Sequence, residues 1–414
     1  MSTKTTQDDY SDRYAARVHG MAQSEIRALF SVASRPEVVS LAGGNPFTAA
    51  LDMDELGEMF ARLLAEDGAK SLLYCPGQGD VALREQICEV MALTGIDVTA
   101  GASPDDVVVT VGAQQGLDLL CRVFLDPGDV VLAEGPTYVG ALGVFQAAQA
   151  RVRHVAMDDE GLIPAALETA IAEAPTRPKF LYTVPTYQNP TGVTLSESRR
   201  QEVLEICDRH GLLIVEDDPY GMLSFDGNTA TPLRARRSEN VFYVGTFSKI
   251  FAAGLRVGWV LAPPAVRDKL VMASEAAVLC PSTFTQAAAT RYLTTMPWQQ
   301  QVKTFSTLYC ERRDTMLAAM SDHFPAAMTW THPGGGLFVW ANLPEGLDSK
   351  AMLPQALAAR VAYVPGTGFY ADGSGAGQMR LNFSFPPGDE IREGIRRLSG
   401  VINSAARLRD TFTT

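Results

Sequence analysis

A chain of 414 residues is long enough for one large domain with a smaller companion. Its composition, 46% hydrophobic and 20% charged, is that of an ordinary globular protein. The net charge of -12, with no basic stripe, argues against nucleic acid as a partner, and apolar runs no longer than a strand argue against a transmembrane helix.

The segment from Met1 to Tyr10 is polar and lacks the apolar centre of an export signal, so the expected compartment is the cytoplasm. The six cysteines are scattered without a Cys-x-x-Cys spacing, and the five histidines do not cluster. No disulfide framework and no metal site are expected.

A helix is expected near Ser24 to Ala33. From about residue 70, short β-branched runs alternate with helical patterns. The runs are Asp106 to Thr110, Asp129 to Ala133, Val152 to Val155, Lys179 to Thr183, Leu212 to Glu216, Val241 to Val244 and Gly258 to Leu261. Helical patterns over Gln114 to Phe124 and Glu197 to His210 separate several of them. Near-continuous apolar strands between helices predict an α/β fold with a mostly parallel central sheet flanked by helices. Past about residue 285 one long helix is expected from Thr285 to Leu317. Strands at Gly336 to Trp340 and Met379 to Phe383 follow, and this part reads as a smaller α+β domain. The expected division is 48–288 for the large domain, with 1–47 and 289–414 forming the small one.

Ligands of such sheets bind beyond the carboxyl ends of the strands, and polar residues gather there. Val109 to Gly116 is a strand, a glycine turn and a helix start, where free backbone N–H groups suit a phosphate. Tyr138, after Glu134-Gly-Pro-Thr, is placed to stack on a flat ring. Asn189 sits in a loop stiffened by two prolines, Thr183 to Gly192. Asp217 and Tyr220 close the next strand, and a buried carboxylate there needs a cationic partner. The pair Asp217-Asp218 as a metal site lacks a third ligand nearby. Lys249 follows the strand Val241 to Val244 among hydroxyl neighbours, with Arg256 seven residues on. That setting suits a Schiff-base lysine beside a phosphate-bearing aldehyde. Taken singly, each of these strings is also what an ordinary turn looks like.

In order, Ser40-Leu-Ala-Gly-Gly44, Tyr187-Gln-Asn-Pro-Thr-Gly192, Glu216-Asp-Asp-Pro-Tyr220, Phe247-Ser-Lys249 and Gly254-Leu-Arg256 resemble the pyridoxal-phosphate-dependent aminotransferases of fold type I, class I/II. The likeness runs from about Ser24 to Phe385 and is nearest to the 2-aminoadipate and kynurenine aminotransferase subgroup. It implies pyridoxal 5′-phosphate as cofactor, with Lys249 as the Schiff-base lysine and proton shuttle. Asp217 would pair with the ring nitrogen, Asn189 and Tyr220 would bond the phenolic oxygen, and Tyr138 would stack on the ring. The phosphate would lie among Ala113, Gln114, Thr246, Ser248 and Arg256, with Tyr74 arriving from the other subunit of a homodimer. Arg380, helped by the Gly44 backbone, would grip the substrate α-carboxylate. Arg27 matches an arginine that meets an acidic side chain, which would make 2-oxoglutarate and glutamate one substrate pair in a ping-pong transamination.

Two departures stand out. Ala113 occupies a position where relatives often have serine, and Asn45-Pro-Phe replaces a longer stretch lining the substrate pocket. A β-lyase or racemase on the same scaffold would share the lysine and the aspartate. A transcription regulator with an aminotransferase-like effector domain is the reading from another class. The roughly 40 residues ahead of the core and the acidic balance weigh against it.

Overall fold

The computed structural model describes residues 10–19, 35–97, 103–237 and 239–413. Arg27 and the helix expected at 24–33 lie outside the described residues. The main sheet has eight strands: β1 Val107–Thr110, β2 Val130–Gly135, β3 Arg151–Asp158, β4 Gly161–Leu162, β5 Phe180–Thr183, β6 Leu213–Asp217, β7 Val241–Thr246 and β8 Gly258–Leu261. Their spatial order is β1-β8-β7-β6-β5-β2-β3-β4. The pairs from β3 through β2, β5 and β6 to β7 are parallel. β1, β5, β7 and β8 are buried along their whole length, as strands covered on both faces must be.

β8 breaks the parallel pattern and runs antiparallel to both neighbours, β7 and β1. The eleven residues between β7 and β8 are too few for a helical crossover, so the chain turns back on itself. This reversal sets the site. The register places Thr246 opposite Gly258 and Gly258 opposite Thr110, so the ends of β7 and β1 meet the start of β8. Gly258 has to be a glycine: a Cβ there would stand 2.6 Å from the backbone nitrogen of Ala113.

A second sheet of four strands, β9 Thr329–Trp330, β10 Phe338–Asn342, β11 Val364–Pro365 and β12 Gln378–Asn382, has the order β9-β10-β12-β11 and is antiparallel. β12 is central, and Arg380 pairs with Trp340 on one side and Val364 on the other. The short strand Val39–Ser40 runs parallel to Val361–Ala362 and ties the early chain to the late chain.

The single helix expected from Thr285 to Leu317 is two helices, Thr283–Thr295 and Trp298–His323. The break is at Met296-Pro297. Met296 is extended, with φ -103° and ψ 152°, because the residue before a proline is pushed out of the helical region. Among the described residues no helix is long and apolar enough to cross a membrane.

Candidate active site

The chain leaves β7 at Thr246 and makes one π-helical turn, Ser248–Ala252, which carries Lys249. It re-enters β8 through Arg256, a non-glycine residue in the left-handed region (φ 55°, ψ 49°). The Ser248 amide donates to Thr246 Oγ1, and that hydroxyl donates to the Val257 carbonyl. Arg256 Nη1 donates to the Ala253 carbonyl and reaches Ser248 Oγ at 3.4 Å. Across the gap lies the start of helix α1, Ala113–Phe124, with Gly112 at its N-cap (φ 74°). A Cβ on Gly112 would collide with the Arg256 guanidinium, so glycine is what lets the cation reach the helix N-terminus. First-turn N–H groups, two hydroxyls and a guanidinium thus converge, which is the donor set a phosphate requires.

Asp217 ends β6, fully inside the protein. Its Oδ2 accepts from the Tyr182 hydroxyl at 2.8 Å. Its Oδ1 is buried and has no hydrogen-bond partner among the described residues. Burial pushes this carboxyl up to about 7; the Tyr182 hydrogen bond opposes the rise, Asp218 adds to it, and Lys249 works against it. A protonated ring nitrogen is the kind of donor that such an oxygen fits.

Lys249 as a whole is only half-buried, but its amine sits deep, donating to the Gly44 carbonyl at 2.8 Å. Burial, then Arg380 and Arg256, push it down to about 8, against the pull of Asp217. At pH 7 that makes about one amine in ten neutral, against roughly one in three thousand for an ordinary lysine. A nucleophile and proton carrier has to be neutral.

Arg380 is buried, and its Nη1 donates to Asn189 Oδ1 at 2.9 Å while Nη2 reaches the carbonyls of Ala42 and Gly43 at 2.9 and 3.1 Å. The guanidinium lies 4.1 Å from the Phe338 ring centre. Burial pushes the pKa of this guanidinium down to about 10, opposed by Tyr220 and Tyr138. Asn189 Nδ2 faces the Tyr220 hydroxyl at 3.5 Å, so these two polar tips point at one spot. The Tyr138 hydroxyl meets Gln114 Oε1 at 3.3 Å.

One cavity of about 300 Å³ joins these groups. Gly44, Ala113, Gln114, Tyr138, Asn189, Asp217, Tyr220, Thr246, Ser248, Lys249, Arg256 and Arg380 all line it. Tyr74 does not; it stands 83% exposed on the surface. Arg27 lies outside the described residues. The Gly44 backbone is present, but its carbonyl, not its N–H, is what Lys249 engages.

Two residues that support the site drew no role from the sequence. Tyr182 was an aromatic in an apolar strand. Glu134 was part of a turn string, yet its buried carboxylate accepts from the Thr183 hydroxyl, the Val184 amide and Gln188 Nε2, pinning the loop that carries Asn189. A carboxylate at the last turn of a buried strand is the signal that would have found it.

Residues 36–398 match the family described as aminotransferase class I and II. The chain is 40% identical to aromatic-amino-acid aminotransferase 1 of Thermococcus litoralis, over 95% of each protein. It is 34% identical to 2-aminoadipate transaminase of Thermus thermophilus, covering 96% of this chain and 98% of that one. Among solved structures it superposes on kynurenine aminotransferase of Pyrococcus horikoshii with a TM-score of 0.90 at 37% identity, covering 96% of this chain and 98% of the other. The chain therefore belongs to the class I and II aminotransferases, the pyridoxal-phosphate-dependent transaminases of fold type I.

Proposed function

We propose that the enzyme transfers the amino group of an L-amino acid to a 2-oxo acid by a ping-pong cycle, with glutamate and 2-oxoglutarate as one pair. The observation that carries this reading is geometric: the buried Lys249 amine shares one cavity with the Asp217 carboxylate and with the Arg256 and Arg380 guanidiniums. When bound, the cofactor supplies an aldehyde for the amino group and a ring that takes up the electron pair left when the Cα–H bond breaks.

The rest falls to the chain. Ala113, Gln114, Thr246, Ser248 and Arg256 would hold the phosphate, Asp217 would keep the ring nitrogen charged, and Tyr138 would pack on the ring face. Asn189 and Tyr220 would share the phenolic oxygen. Arg380 takes the substrate carboxylate with two parallel N–H bonds, exchanging the carbonyls of Ala42 and Gly43 for a charged acceptor. With the substrate so held, neutral Lys249 takes the Cα proton at Nζ and later gives it up. Apolar walls and the buried setting of Asp217 and Arg380 keep water from competing.

The active unit is a homodimer in which Tyr74 completes the neighbouring site. Leu72, Leu73, Tyr74, Val278 and Leu279 are exposed, and Cys75 Sγ, 3.7 Å from the Pro281 carbonyl, sets their two segments near each other, which supports this reading. Large and small domains at 48–288 and at 1–47 with 289–414 agree with the pairing of Val39–Ser40 and Val361–Ala362. Arg27 is assigned to the acidic side chain of the substrate from the sequence alone.

The test is to add single amino acids to the loaded enzyme and follow loss of the cofactor's aldehyde absorbance, then its return with 2-oxoglutarate. Conversion by glutamate and full return support the reading. Product formation without any amino-form cofactor points to a β-lyase or racemase instead.

A further inference from the structure

We propose that Tyr182 is the positioning residue for Asp217: its hydroxyl claims Oδ2 and thereby presents Oδ1 to the cavity. This rests on the reading of Asp217 as the partner of the ring nitrogen.

The sheet register creates the contact. β5 and β6 are parallel, and Tyr182 lies opposite Val215. Side chains alternate between faces, so Val215 and Asp217 share a face with Tyr182. A tyrosine reaches one pleat further along the strand direction than an aliphatic side chain, and its hydroxyl arrives at Asp217 Oδ2 at 2.8 Å. The ring cannot swing away. Tyr182 is completely buried, and Phe145 closes on it edge-on at 5.6 Å between ring centres.

The hydroxyl has no packing reason to exist. Phenylalanine would fill the same space, and a buried O–H without an acceptor costs free energy. Its acceptor is one oxygen of a carboxylate whose other oxygen has no partner among the described residues. A carboxylate held at one oxygen loses its freedom to rotate, so Oδ1 keeps one direction. The bond also favours the ionised form. Burial is the largest influence on Asp217 and drives it toward neutrality, and the bond from Tyr182 is the first that opposes this. Asp218, Lys249 and Glu134 are the other charged groups acting on it.

The test compares the wild type, Tyr182→Phe, Asp217→Asn and the double variant as reconstituted holoenzymes. Two readouts are taken: the dissociation constant for pyridoxal phosphate, and the NMR shift of the ring nitrogen in ¹⁵N-labelled cofactor. Tyr182→Phe is expected to weaken binding about tenfold, the scale of one hydrogen bond to a charged group. It should also move the nitrogen signal part of the way toward its position in Asp217→Asn. In the Asp217→Asn background, where no carboxylate is left to position, removing the hydroxyl should change both readouts far less than it does in the wild type. If Tyr182→Phe keeps the wild-type signal and affinity while Asp217→Asn alters both, the hydroxyl only supports the fold and the inference is overturned; a lowered melting temperature alone would belong with that result. A ring nitrogen unchanged by Asp217→Asn overturns the pairing itself, which is a separate failure.

Discussion

The Asp217 carboxyl is expected to cost the cofactor-free enzyme stability. The folded chain holds its proton up to about 7, against an ordinary value of 3.8. Because the folded state binds this proton more tightly than the unfolded state, stability falls as pH rises from 3.8 and the loss is complete above about 7. The displacement is worth about 4 kcal/mol at pH 8 and roughly half of that or less at pH 5. Asparagine keeps an oxygen for the Tyr182 hydroxyl and has no charge to bury. Cofactor-free Asp217→Asn should therefore be more stable than the wild type, by an amount that approaches this figure at pH 8 and shrinks at pH 5. Urea unfolding of the two cofactor-free proteins at both pH values measures it. An equal or lower stability for Asp217→Asn at pH 8, or a gain independent of pH, would refute the reasoning. The same substitution should weaken cofactor binding, the usual opposition between stability and a working site.

Three further outcomes follow from the site. The rate at which the cofactor-free enzyme captures pyridoxal phosphate should rise with pH and level off above about 8, as the Lys249 amine becomes neutral; stopped-flow absorbance measures it, and a midpoint near 10.5 would contradict the burial of that amine. Gly112→Ala places a Cβ against Arg256 at a positive φ, so cofactor affinity should fall by about tenfold or more, measured by fluorescence titration. Arg380→Lys replaces a fork with a point charge, and KM for the amino donor should rise about tenfold to a hundredfold, more than kcat falls, in steady-state assays.

Much of this arrangement was legible in the sequence because strand ends in an α/β sheet announce themselves. Lys249, Asp217 and Asn189 each follow a buried apolar run with a polar residue, and the structure brings all three to one cavity. The boundary at Pro297 was also written in the chain, yet a continuous polar–apolar pattern on both sides concealed it. Tyr182 was not legible. Its ring satisfies the apolar pattern of β5, and only the pairing register of β5 with β6 shows that its hydroxyl meets Asp217. Glu134 was hidden likewise, since its partners Thr183, Val184 and Gln188 come from about fifty residues away. The reversal of β8 depends on how short its connection is, and it is what carries Arg256 to the N-terminus of α1.

The central claim is that Lys249 is the amine that carries the cofactor and moves the proton. Borohydride reduction of the loaded enzyme, followed by digestion and mass spectrometry, tests it most directly. The account predicts a phosphopyridoxyl group fixed on the peptide containing Lys249 and no transamination by Lys249→Ala. A label on another lysine, or a Lys249→Ala enzyme that still transaminates at the wild-type rate, would contradict it.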